Sequence, residues 1–271
     1  METHRNYVLG NAPSELQRLA LQHRLWQPLA EAGWRRAGLH EGSTVLDLGC
    51  GPGFAAVDLA RLVGLQGRVL GLDSNAAFRA HARQLAQEAD LPQIEIRAHD
   101  LCRDPLPLQG FDLAWCRWVA MFLPVLEPLL AQIEAAVRPG GAVLFHEYVD
   151  WRSFGLHPHG TALGQFAEVV LHTFLASGGD PDVNRRLPSL LAARGWRIEA
   201  LQALPAVGGP DSWVADWLEP FVLVQGERLQ SQGVWSAAAA QAVAEELAAA
   251  RRDPGSVWMG PTVLELRARR L

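Results

Sequence analysis

Residues 45–54 read VLDLGCGPGF: an apolar run carrying Asp47 passes into glycines at 49, 51 and 53. Glycine after a strand permits a sharp turn and lets a ligand approach the main chain, while the next helix points unbonded N–H groups at it. In the dinucleotide fingerprint G-x-G-x-x-G, counting from Gly49 puts the third glycine where Phe54 stands. A carboxylate at Asp47 would also repel a pyrophosphate and attract a cation. At the end of the next apolar run, GLD supplies Asp73, an acid able to accept hydrogen bonds from both ribose hydroxyls. The combined requirement is a nucleoside with a positively charged tail and no phosphate.

The elements that must position these groups alternate along the chain. Strands are expected at 43–48, 68–72, 93–98, 111–116 and 142–148, with helices at 54–63, 75–90 and 125–137 between them. That alternation predicts a parallel sheet with helices on both faces, because parallel crossovers need a dozen or more residues. Ahead of it, residues 11–38 carry a helical pattern with a capping pair at Ser14 and Gln17, and Pro28 divides it into two helices. Further on, 159–176 and 185–194 read as helices, and 196–203 and 261–269 as strands. The stretch between those last strands, with its alanine-rich run 236–250, is too long for a loop and reads as inserted helices. The expected parts are an N-terminal helical cover at 1–40, a core at 41–208, a helical cap insertion at 209–256, and a strand completing the core at 257–271.

S-adenosylmethionine, with its adenosine, sulfonium and ammonium, meets the requirement set by the glycines and acids. The sequence resembles the class I S-adenosylmethionine-dependent methyltransferases of the small-molecule type. VLDLGCGPGF looks like their glycine-rich motif, LGLDSN their ribose-binding acid, AHDLCRDPLP their adenine-contacting segment, FDLAWCRWV their fourth strand and RPGGAVLF the entry to their fifth. The resemblance covers roughly residues 40–150. It implies a Rossmann-like α/β fold, with a doubly wound, mostly parallel, seven-stranded sheet. It also implies that Asp47, Gly49, Cys50 and Gly51 surround the methionine portion, Asp73 the ribose with Ser74 and Asn75 beside it, and Asp100 with Leu101 the adenine. Cys116, at the end of the fourth strand, joins this set. Upstream, YVLG followed by ELQRLALQ is similar to the family's leading segment, which brings in Tyr7 and Gln22, with Arg18 on the same helical face. Plainer roles stay open: Asp47 orienting the turn, Asp100 capping a short helix, Cys50 packing as a small apolar group, and Arg18 and Tyr7 belonging to a polar helix surface.

Candidates for the transfer itself should project from the carboxyl ends of the fourth and fifth strands: Arg117, His146 and Glu147. His146 can take a proton near neutral pH, or be a packed structural histidine. It alternates with Glu147, so only one of the two should face the ligand. Trp118, Trp151, Trp213, Trp217, Trp235 and Trp258 suit either an apolar substrate pocket or a core.

A formal charge of −5 over 271 residues argues against nucleic acid as a partner. Three cysteines, an odd number without zinc spacing, fit a reducing, cytoplasmic setting and no structural metal. No apolar run approaches membrane-spanning length. The expected activity is methylation of a small, hydrophobic or aromatic metabolite, with a homodimer among the arrangements left open. Two alternatives remain: a protein of the same fold that binds the cofactor without transferring methyl, and, disfavoured by Phe54 and Asp47, a nicotinamide-dependent oxidoreductase.

Overall fold

The computed structural model describes residues 13–106 and 110–271, so Tyr7 lies outside the described residues, as does the side chain of Ser14. In chain order the elements are α1 (Pro13–Arg36), β1 (Thr44–Leu48), α2 (Phe54–Val63), β2 (Arg68–Asp73), α3 (Ala76–Glu88), β3 (Ile94–Ala98), β4 (Phe111–Arg117), α4 (Glu127–Ala136) and β5 (Val137–Asp150). They continue with β6 (Gly155–His157), α5 (Thr161–Ala176), α6 (Leu187–Ala193), β7 (Trp196–Leu204), β8 (Val207–Gly208), α7 (Trp213–Ser231), α8 (Ala237–Arg252), β9 (Val257–Met259) and β10 (Thr262–Arg270).

Seven strands form one sheet in the order β3-β2-β1-β4-β5-β10-β7. The first five run parallel, and β10 is antiparallel to β7. This is the Rossmann-like, mostly parallel sheet the sequence predicts. Strand order reverses between β1 and β4, and in such sheets the ligand crevice opens beyond the carboxyl ends at that reversal. β1 and β2 are covered on both faces, which is why they read as nearly continuous apolar runs. Asp47 is the charged residue of β1, and it is only 2% exposed.

The helices flanking the crevice begin by different devices. α2 follows Gly53, which holds the left-handed conformation at φ 90, and it buries Ala55, Ala56, Val57, Leu59, Ala60 and Val63. α3 is capped by Asn75, whose side chain accepts the amides of Ala77 and Phe78. The C-terminal part of α1 sets Trp34 edge-on to Trp115 of β4, with centroids 5.4 Å apart, a contact worth about 0.5–1.5 kcal/mol beyond its buried area. α1 runs unbroken through Pro28, contrary to the expected division. Pro28 is exposed, as is Arg24 one turn earlier, so water can satisfy the carbonyl that proline leaves without a donor.

The chain divides into two compact units. One comprises 26–149, 178–204 and 263–271, and holds the large sheet. The other takes the described residues 13–25 together with 150–177 and 205–262. It contains α5, α7 and α8 and a small sheet, β6-β9-β8. Its interior is aromatic: Trp151 packs on Phe154, Phe174 and Phe221, and Phe166 on Phe221 and Trp235. The second unit thus draws on three separate stretches, where the sequence reading assigned 1–40 to a cover and 209–256 to an insertion.

Gly53 and Gly42 separate two effects of added side-chain bulk. A Cβ on Gly53 would sit 2.6 Å from Ala82 Cβ and 2.8 Å from its Cα, whereas at Gly42, also left-handed at φ 85, it would meet nothing within 4 Å. Gly53→Ala should therefore lower unfolding free energy by about 2–5 kcal/mol, combining left-handed strain with overpacking against a backbone. Gly42→Ala should cost only about 1–2 kcal/mol; urea unfolding of both variants measures the difference.

Candidate active site

The glycine loop leaves β1 with Gly49 and Gly51 in left-handed conformations, φ 68 and 54. Asp73, ending the neighbouring β2, holds this turn: its Oδ2 accepts the Gly51 amide at 2.9 Å and its Oδ1 the Asn75 amide at 2.7 Å. Burial raises the Asp73 pKa, opposed by those two amides and by the charge of Arg79. Arg79 itself donates to the carbonyls of Asp73 and Ser74. One acid thus fixes the loop after β1 and the entry to α3 together. Among the described residues a Cβ at Gly51 would meet nothing within 4 Å, so they leave the main chain open at the middle glycine.

Asp47 sits below the loop, and its Oδ2 has no hydrogen-bond partner among the described residues. Burial pushes its pKa to about 7; the Arg117 charge opposes the shift and Asp73 adds to it. Pairing places Asp47 opposite Trp115 and Arg117 opposite His146, so alternation puts these four side chains on one face of the sheet. Arg117 stacks over the rings of Trp115 and Trp118, 5.8 and 5.2 Å from their centroids, and burial lowers its pKa to about 10. It remains a cation near neutral pH.

His146 is fully buried. Its Nε2 lies 3.2 Å from Glu265 Oε2, its ring meets Trp115 edge-on at 4.8 Å, and burial lowers its pKa, so the neutral ring donates to Glu265. Arg36 also donates to the Glu265 carboxylate. This is the setting of a structural histidine, the alternative left open by the sequence. Glu147, on the opposite face, is also fully buried. Its Oε1 accepts the amides of Val119 and Ala120 at 2.8 and 3.0 Å, with Cys116 Sγ at 3.6 Å. Burial raises its pKa to about 7 against those hydrogen bonds. Between Arg117 and this clamp, Trp118 takes a left-handed backbone at φ 51, a conformation costing a bulky residue about 1–3 kcal/mol. Its amide bonds to the His146 carbonyl at 3.1 Å, and its ring packs against Trp26 and Tyr148.

The remaining expected residues fall as follows. Asp100 accepts the Cys102 amide at 2.9 Å and so closes the turn after β3, with Leu101 buried beside it. Ser74 is exposed. Cys50 and Cys116 are buried, and burial first of all lifts both thiols well above their usual range, which keeps them protonated; Cys102 is exposed. Gln22 belongs to a buried network in the second unit, its Oε1 accepting from Arg18 at 2.6 Å and Trp217 at 3.2 Å while Glu15 pairs with Arg18. Trp151, Trp217, Trp235 and Trp258 are buried in that unit, so their role there is packing. Among the described residues no group of three His, Cys, Asp or Glu could hold a metal ion, and no helix is long and apolar enough to cross a membrane.

Three contributors gave no signal in the sequence. Arg79 and Val119 are ordinary helix and loop residues by type. His99 is 6% exposed beyond β3, with an Nε2 that has no partner among the described residues; its amide bonds to the Asp73 carbonyl at 3.2 Å.

A folded-state pKa near 7 for Asp47 gives a sign. Below the unfolded value of roughly 4 the carboxyl is protonated in both states; as pH rises toward 7 the unfolded chain ionises first, and stability falls. Relative to Asp47→Asn, the wild type should lose about 2–3 kcal/mol between pH 5 and pH 7 and only about 0.4 kcal/mol more above it, measured by urea unfolding.

Comparison with known proteins places this geometry. Residues 45–141 match the model of a methyltransferase domain. The 2-phytyl-1,4-naphtoquinone methyltransferase of Synechococcus elongatus is 32% identical over 154 residues, covering 55% of this chain and 60% of that protein. This chain therefore spans less than two thirds of the length of that curated relative. A solved [4+2]-cyclase superposes over 90% of this chain and 80% of its own with a TM-score of 0.59 at 18% identity. The geranyl diphosphate C-methyltransferase of Streptomyces coelicolor does so over 96% and 84% with a TM-score of 0.56 at 17% identity. At such identities the likeness is one of fold. Glycine loop, strand-end acids, sheet order and matched segment agree: residues 45–141 carry a methyltransferase domain, built on the class I, S-adenosylmethionine-dependent fold.

Proposed function

We propose that the protein transfers the methyl group of S-adenosylmethionine to a small, hydrophobic or aromatic metabolite. The observation that carries this reading is the acid-lined glycine turn: open main chain at Gly51, held by Asp73, above a buried Asp47 whose Oδ2 lacks a partner among the described residues. A cation arriving there would complete the pairing of Asp47, whereas a diphosphate would bring more negative charge to one buried and one half-buried acid. That contrast favours the sulfonium cofactor over a nicotinamide dinucleotide. The named activity of the naphthoquinone methyltransferase supports a hydrophobic or aromatic acceptor.

In this reading Asp47, Gly49, Cys50 and Gly51 receive the methionine portion, Asp73 the ribose with Ser74 and Asn75 beside it, and Asp100 and Leu101 the adenine. When bound, the cofactor supplies an electrophilic methyl group on a cationic sulfur. The chain's contribution is chiefly orientation and exclusion of water, which can supply roughly 7–11 kcal/mol, against roughly 3–5 from a general base. Arg117 and Trp118, at the strand ends, offer a cation and a fixed aromatic surface beside the acceptor.

Titration calorimetry should give binding of S-adenosylmethionine and none of NAD; the reverse would overturn the reading. Methyl incorporation across a panel of quinols, phenols and terpenoid alcohols separates transfer from binding alone. Asp73→Ala should weaken cofactor binding by about 10- to 150-fold, the worth of charge-assisted hydrogen bonds of about 1.5–3 kcal/mol. Because a cation favours ionised Asp47, wild-type affinity should climb as pH rises to about 7, and Asp47→Asn should flatten that climb.

A further inference from the structure

Trp118, Val119 and Ala120 present three successive amides, and β5 binds all of them: the His146 carbonyl takes the first, and Glu147 Oε1 takes the other two at 2.8 and 3.0 Å. Asn184 steadies the clamp from behind, its Nδ2 donating to the carbonyls of Glu147 at 3.2 Å and Leu264 at 2.8 Å. What the clamp holds is a side chain pressed on the glycine loop. A Cβ built on Gly49 would lie 2.5 Å from Val119 Cγ2 and 2.9 Å from its Cγ1. The two γ-carbons of a β-branched residue therefore rest on the bare Cα of the first loop glycine, in space that any other residue at 49 would fill.

We infer that Glu147 is a positioning residue: by fixing the Val119 and Ala120 amides it seats Val119 on Gly49 and thereby sets the glycine loop in the shape that receives the cofactor. The inference rests on the function proposed above. Glu147 acts through Val119, so its role differs from that of a base. A carboxylate suits it because one oxygen accepts two neighbouring amides while the strained turn at Trp118 directs both toward β5. A glutamine keeps an accepting oxygen at the same reach; alanine and aspartate do not.

The test is calorimetric binding of S-adenosylhomocysteine to the full chain, in the wild type, Glu147→Gln, Glu147→Ala, Val119→Ala and the double variant Glu147→Ala/Val119→Ala. Val119 is half-buried, so its truncation leaves the fold standing, as circular dichroism would verify. Glu147→Ala and Val119→Ala should each weaken binding about 10-fold, Glu147→Gln by less than about 3-fold, and the double variant no more than the worse single one, since both singles break one linkage. If Glu147→Ala does not fold, Glu147→Asp takes its place, withdrawing the acceptor by one methylene. Wild-type binding with an indifferent Val119→Ala, or losses that multiply in the double variant, would overturn the inference alone. A wild type that does not bind S-adenosylhomocysteine would overturn the proposed function and the inference with it.

Discussion

The site depends on how buried carboxylates are satisfied at the end of a parallel sheet. Removing a carboxylate from water costs several kcal/mol unless donors replace the lost hydration, and this sheet answers that constraint differently for each acid. Asp73 takes main-chain amides from Gly51 and Asn75, and Glu147 those of Val119 and Ala120. Glu265 takes Arg36 and His146. In the first two cases the donors belong to the loops that leave the strands, so satisfying the acid and shaping the crevice are one event. Glu147 and Asp47 each keep one oxygen, Oε2 and Oδ2, with no donor among the described residues, and the Arg117 charge acts on Asp47.

That arrangement explains why the strand-end turns can be strained without being loose. Trp118 holds a left-handed backbone that a bulky side chain disfavours, yet its own amide and the next two are all bound. Its ring is further fixed by Trp26 and Tyr148. Cost in the backbone is offset by hydrogen bonds to β5 and by aromatic packing, and the result is an aromatic group held at one orientation beside the crevice.

The sheet was legible because its evidence is local and periodic. α2 has the bounds 54–63 read from the apolar spacing after the glycines, and the central strands differ from expectation by a residue or so. β5 begins earlier than the expected 142, since Val137 already pairs with Phe111 ahead of the RPGG segment. The small sheet left no trace: β6, β8 and β9 are three, two and three residues long, too short for a period of two to register. In the site, Asp73 and the glycines were recognisable by type and spacing. The relation of His146 to Glu147 was legible only as alternation, because which face each takes depends on Glu265, more than a hundred residues away. Val119 was invisible, its contribution being shape against a glycine.

The three cysteines carry a practical consequence. Two thiols are shielded and held protonated, while Cys102 stands in solvent on the turn that Asp100 closes. A maleimide dye should therefore attach at one place in the native protein, giving an optical reporter on the segment proposed to meet the adenine base without any engineered change to the chain.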